Sequence, residues 1–169
     1  MSVVAFQEDR VLFGPKVALE THRRLQAAVA ARANPDEAER LFREAQQDDP
    51  ECLPARFALY KFYFNTVQFE KAEATARAAL LEAARQAGFT PDWNQLDFAT
   101  VSESVLRAGE DPAHFFCFTM KALAFIKLRQ GHTAESRAIL NKLEELDPED
   151  TVGGSVIRAL ANRVEEDDE

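Results

Sequence analysis

The 169-residue sequence has only six glycines and seven prolines, too few helix breakers to suit a chain of many short strands and turns. It has two cysteines, Cys52 and Cys117, far apart and in no C-x-x-C pair. Neither a zinc site nor a dithiol redox motif is suggested, and both read as buried or bystander thiols. The three histidines, His22, His114 and His132, fall in separate segments, His132 in a turn and His114 near a helix start. No H-E-x-x-H, no nucleophile elbow and no glycine-rich phosphate loop organises them. Gly153 and Gly154 lack the Lys and Ser/Thr that complete a phosphate loop and read as loop residues before a last helix. No catalytic residue, metal ligand set or cofactor motif is nominated, so a non-enzyme is expected.

Long apolar runs are missing too. Nothing approaches the roughly 20 apolar residues that span a bilayer, and MSVVAFQEDRVLF has neither the basic start nor the apolar run of a secretory signal. A cytoplasmic location is the default expectation. Positive charge is in deficit, 20 Lys and Arg against 29 Asp and Glu, for a net charge of −9. Such a field repels a phosphate backbone or an anionic membrane surface, so neither nucleic acid nor membrane is an expected partner.

What the sequence does have is Ala, Leu, Glu and Arg in quantity and 46% hydrophobic residues, enough for one all-α domain with its own core. It also has an internal repeat. In a first unit, 19–52, Leu25 is followed by Ala38, Phe42, Ala45 and Pro50. A shift of 34 residues carries Leu25 to Leu59, Ala38 to Ala72, Phe42 to Ala76 and Ala45 to Ala79 in a second unit, 53–86. A third unit, 117–150, has Leu123, Ala124, Gly131, Ser136, Leu140, Leu143 and Pro148 in the same relative places. The pattern is a packing instruction: small residues at Ala38, Ala72 and Ser136 let paired helices approach, while Leu25, Leu59 and Leu123 fill the gap between them. Turns fall at Ala-Asn-Pro-Asp before Glu37 and Gln-Gly-His-Thr before Ala134, and Pro50 and Pro148 close second helices.

From these residues the sequence resembles the tetratricopeptide repeat family, most clearly in FEKAEATARAAL (Phe69 to Leu80) and KALAFIKLRQGHTAESRAILNKLEELDPED (Lys121 to Asp150). The resemblance implies an all-α, helical-hairpin solenoid with one inserted helix and a C-terminal capping helix. It departs from the family pattern at Tyr60, in place of a small residue, and Ala84, in place of a closing proline, where longer or more splayed helices are expected.

The expected organisation is an apolar arm, 1–15, a repeat domain, 16–164, and an acidic tail, 165–169. The arm carries Val3, Val4, Phe6, Val11, Leu12 and Phe13 and ends at Gly14-Pro15; it packs on its own solenoid or forms a homodimer contact. The insertion, 87–113, predicts a helix capped by Asp92, with Leu96, Ala99, Val101, Val105 and Leu106 as its stripe and Gly109 as its stop. Its Trp93 and Phe98, with Phe115 and Phe116 beyond, are either core or a partner surface. The capping helix, 155–164, covers the open end of the last repeat.

In that family the first helix of each pair lines an inner groove. Carried over residue by residue, this turns inward Arg23 from the first unit, Phe57, Lys61, Phe64 and Asn65 from the second, and Phe118, Lys121, Phe125 and Arg129 from the third, with Arg163 from the cap. Arg and Lys separated by Phe, in a chain so acidic overall, suit an acidic and partly apolar protein segment; the same cations also suit snorkelling or pairing with neighbouring acids. Members that clamp chaperone C-terminal carboxylates use an arrangement of Lys, Asn and Arg that this sequence does not reproduce.

The stretch LRQGHTAESRAILNKLEELDPEDTVGGSVIRALA is similar to small tetratricopeptide repeat factors associated with nitrogenase in nitrogen-fixing bacteria. That resemblance implies a protection or assembly factor for the molybdenum-iron nitrogenase component, itself carrying no cluster. Type III secretion chaperones share the size, acidity and three repeats, but the insertion and the aromatic-basic groove stand against them. A self-associating scaffold subunit is the remaining alternative.

Overall fold

The computed structural model describes residues 17–108 and 112–168, leaving aside the side chains of 105–108 and 168. The expected arm and its Gly14-Pro15 boundary, the Gly109 stop, Glu169 and the side chains of Val105 and Leu106 lie outside the described residues. Within them are eight α-helices, α1 (Leu19–Ala30), α2 (Pro35–Asp48), α3 (Leu53–Asn65), α4 (Phe69–Ala87), α5 (Phe98–Ala108), α6 (Pro112–Arg129), α7 (Thr133–Leu146) and α8 (Gly154–Asp168), with one 3-10 turn at Trp93–Gln95.

The boundaries follow from local chemistry. Asn34 accepts a hydrogen bond from the Glu37 amide at 3.4 Å, and Pro35, whose missing N–H costs nothing at a first turn, opens α2. Lacking a closing proline, α4 runs for 19 residues until Gly88 takes φ +78° and the Phe89 amide donates back to the Ala84 carbonyl at 3.1 Å. Gly131 does the same after α6 with φ +82°, the His132 amide reaching the Lys127 carbonyl at 2.9 Å.

Consecutive helices stack in order, α1 on α2, α2 on α3 and α3 on α4, and the stack continues from α4 directly to α6, α7 and α8. The insertion therefore leaves the solenoid unbroken. The small residues Ala38, Ala72 and Ser136 and the fillers Leu25 and Leu123 are fully enclosed, and the Ser136 hydroxyl donates to the Ala124 carbonyl at 2.7 Å, so a polar side chain sits between α6 and α7 without an unmet hydrogen bond. Tyr60, which stands where the repeat has a small residue, is 1% exposed and shares a hydrogen bond of 3.3 Å with Thr119 Oγ1. Its bulk is accommodated toward α6.

Three expectations are corrected. Asp92 caps only the 3-10 turn, through the Asn94 amide; α5 starts at Phe98, where Asp97 accepts from the amide and hydroxyl of Thr100, both at 2.8 Å. The first helix of the third unit opens at Pro112, ahead of the repeat phase, because Pro112 fits a first helical turn. The acidic stretch after Arg163 is helical through Asp168, tied back by an ion pair of 2.7 Å between Glu165 and Arg137.

Candidate functional site

Besides the sequential stack, α1 touches α3, α3 touches α6, and α6 touches α8, so the first helices of the hairpins form a row of their own. Phe57 meets Phe118 with ring centroids 5.6 Å apart, and Phe64 meets Phe125 at 4.8 Å. Both pairs have the same sequence offset, so α3 and α6 run parallel. All four phenylalanines are buried, between 1% and 9% exposed, and act as a packed aromatic seam; such pairs are worth about 1 kcal/mol each beyond their area.

Cations lie over this seam. Lys61 Nζ sits 5.7 Å from the Phe57 ring centre, Lys121 Nζ 4.3 Å from that of Phe118, and the Arg129 guanidinium 5.9 Å from Phe64 and 5.3 Å from Phe69. Lys121 also donates to the Val152 carbonyl at 2.6 Å, which ties down the end of the α7–α8 connection just before α8 begins at Gly154. Lys61 and Lys121 are half-buried and Arg129 is exposed. Neither α3 nor α6 contains a single Asp or Glu, although the chain has 29. The acids gather on the second helices, where Arg40 pairs with Glu37 and Glu44, Lys71 with Glu39 and Arg85 with Glu82.

One lysine of α6 belongs to that other side. Lys127, 5% exposed, is held by Glu73 at 2.8 Å and Glu135 at 3.1 Å. Glu73 also accepts from Gln130 at 3.1 Å and Arg77 at 3.0 Å. Burial alone pushes the Glu73 carboxyl up, but hydrogen bonds from Lys127, Gln130 and Arg77 outweigh it and hold the group down at about 2. This cluster locks α4 to α6 and α7.

The structure thus brings together Phe57, Lys61, Phe64, Phe118, Lys121, Phe125 and Arg129, with Asn65 exposed at the end of α3. Arg23 is exposed on α1, one helix along the row, and Arg163 on α8. Trp93 and Phe98 are placed elsewhere. Trp93 packs partly on the core from the 3-10 turn, while Phe98 opens α5 at 52% exposure, and α5 rests on α4, α6 and α7. Phe115 and Phe116 are core. Sequence reasoning missed Phe69, the second ring under Arg129, because it belongs to a second helix and reaches the seam only through the α3–α4 turn. Among the described residues no group of three His, Cys, Asp or Glu converges as around a metal ion, and no helix is long and apolar enough to cross a membrane.

Stacked helical hairpins with their first helices in a row define a helical-repeat scaffold, a class that presents side chains from successive repeats to a protein partner. Residues 29–89 match the tetratricopeptide repeat family, and the stacked hairpins of the described residues fit the helical-repeat solenoid that such a match implies. It is similar to an uncharacterized 19.8 kDa protein in the nifW 5′ region of Azotobacter chroococcum mcd 1, 27% identical over 120 residues that cover 71% of this chain and 67% of that one. No solved structure matches the chain.

Proposed function

We propose that the chain is a non-catalytic docking factor whose α3–α6 face binds an acidic, partly apolar segment of a client protein. The observation that carries this reading is charge segregation: an acid-free pair of helices in a chain of net charge −9, with Lys61, Lys121 and Arg129 poised over aromatic rings. A carboxylate gains from these cations, and an apolar neighbour gains from the edges of the rings beneath. The second helices, rich in acids, repel the same ligand and leave one face to it.

The similarity to a protein from a nifW 5′ region directs the search for the client to nitrogen-fixation proteins, with the molybdenum-iron nitrogenase component first among them. The reading then is of an assembly or protection factor. Its test is affinity purification of the tagged chain from its native cells, grown with and without fixed nitrogen, at about 0.05 M and 0.3 M salt. A stoichiometric partner lost as salt rises supports the electrostatic face, since added salt screens such contacts within about 10 Å. A partner held equally at both salt levels moves the contact to the apolar surface around Phe98.

A further inference from the structure

The two terminal helices pack by one side each: α1 rests on α2 and α3, and α8 on α7 and α6. On α1 the buried side is Thr21, Leu25 and Ala28, and Arg23, Gln26 and Ala30 are exposed on the opposite side, with Ala33 just beyond the helix. On α8 the buried side is Ile157 and Ala161, and Val156, Ala159, Arg163 and Glu166 are exposed. Of the seven large apolar side chains left exposed among the described residues, four belong to these two helices, Leu19 and Val29 to α1 and Val156 and Val164 to α8. The ends therefore hold most of the large apolar surface open to a partner.

The two exposed stripes complement each other. Consecutive helices of the stack are antiparallel, and α1 of a second copy laid antiparallel on α8 continues that order. In the register that sets Arg23 against Glu166, Gln26 meets Arg163, Ala30 meets Ala159 and Ala33 meets Val156, because both stripes step by three, four and three residues. Charge faces opposite charge at one end, and small residues face apolar ones at the other, where the helices approach closely. Among the described residues Arg23, Glu166 and Asp167 belong to no ion pair, whereas their neighbours Arg24 and Glu165 are held by Glu20 and Arg137. The positive N-terminal end of α1 also comes to the acidic end of α8.

We infer that the chain associates with copies of itself head to tail, the α1 face of one on the α8 face of the next. Each copy carries a net charge of −9, but at about 0.15 M salt repulsion is screened beyond about 8 Å, so the groups in contact decide. One helix against one helix is a small interface, and the association is weak and concentration-dependent. It is also heterologous, leaving an open face at either end for further copies unless the assembly closes into a ring. Stacked copies line up their α3–α6 faces for a client with repeated surfaces, although the self-association does not rest on the docking reading.

Sedimentation equilibrium of the full chain tests this with the wild type, Arg23→Glu, and the double variant Glu166→Lys, Asp167→Lys. All three positions are exposed, and circular dichroism checks that the variants stay helical. The average mass of the wild type is expected to rise above that of one chain at concentrations up to about 1 mM. Each variant alone is expected to associate at least about tenfold more weakly, and an equimolar mixture of the two to regain association, since each keeps the face the other has lost. A wild type that stays monomeric overturns the inference. Association that neither variant weakens also overturns it, placing the contact on residues 1–16 or another surface. So does a mixture no stronger than its parts, the result of an isologous contact. The docking reading fails separately, when the wild-type chain captures no salt-sensitive partner from cells.

Discussion

Val67 is a residue at odds with its backbone. It has φ +60° and is 66% exposed, in a turn where the Gln68 amide donates to the Tyr63 carbonyl at 2.8 Å. The matching turn of the third unit has Gly131, which enters this left-handed region freely, whereas a β-branched residue there is strained by about 1–2 kcal/mol. Val67→Gly is therefore expected to raise unfolding stability by about 1 kcal/mol in urea titrations, since little burial is lost. Unchanged or lower stability would mean that the valine side chain contributes more packing than its exposure suggests. The Gly131 and Val67 mismatch is visible in the aligned repeats, but its meaning depends on the φ angle.

Glu73 sets a second residue-scale expectation. Its folded-state value, about 2, lies below the ordinary 4.5, so its contribution is fully present above pH 4.5 and is lost as pH falls from there toward 2. Glu73 keeps part of its surface in water, so the contribution is on the order of 1 kcal/mol. Glu73→Gln is expected to flatten this part of the stability-pH curve between pH 5 and pH 3; an unchanged slope would assign the acid sensitivity to other carboxylates. The Lys127 cluster was not legible in the sequence, where Lys127 is one more cation on an apolar helix. Only the fold shows that it turns away from Lys121 and Arg129 toward α4 and α7.

Among the elements, those built on repeat packing were legible and the insertion was only half so. Small residues at Ala38, Ala72 and Ser136 announced the hairpins because a helix pair has few ways to close. In the insertion two aspartates compete as caps, Asp92 and Asp97, and the choice depends on Leu96 and Val101 reaching the core. Asp97→Ala is expected to destabilise α5 by about 1 kcal/mol, seen as faster amide exchange confined to that helix, whereas Asp92→Ala should affect only the 3-10 turn. Equal effects would contradict the reassigned cap. Gly88 offers a cleaner backbone test. An added Cβ there meets nothing within 4 Å, so Gly88→Ala is expected to cost about 1 kcal/mol through φ alone, measurable by thermal unfolding; a neutral outcome would contradict the α4 stop described here.

At the scale of the whole molecule the organising feature is the sorting of charge between two sets of helices. The sequence showed the net charge and, through the family's geometry, the cations of the first helices. It could not show that the phenylalanines between them close into a seam, because exposed and buried rings at helical spacing look alike. Nor could it show that Trp93 and Phe98 sit on a separate support, since that depends on where α5 packs. The docking account depends on the cations over the seam and not on the seam's integrity, which makes the two separable. The most direct measurement is capture of the salt-sensitive client by the wild-type chain and by Lys61→Glu, Arg129→Glu, side by side, with circular dichroism of both. The account predicts loss of the client by at least about tenfold, through like-charge repulsion at the face, with unchanged helical signal. Undiminished capture by a fully helical variant would contradict it.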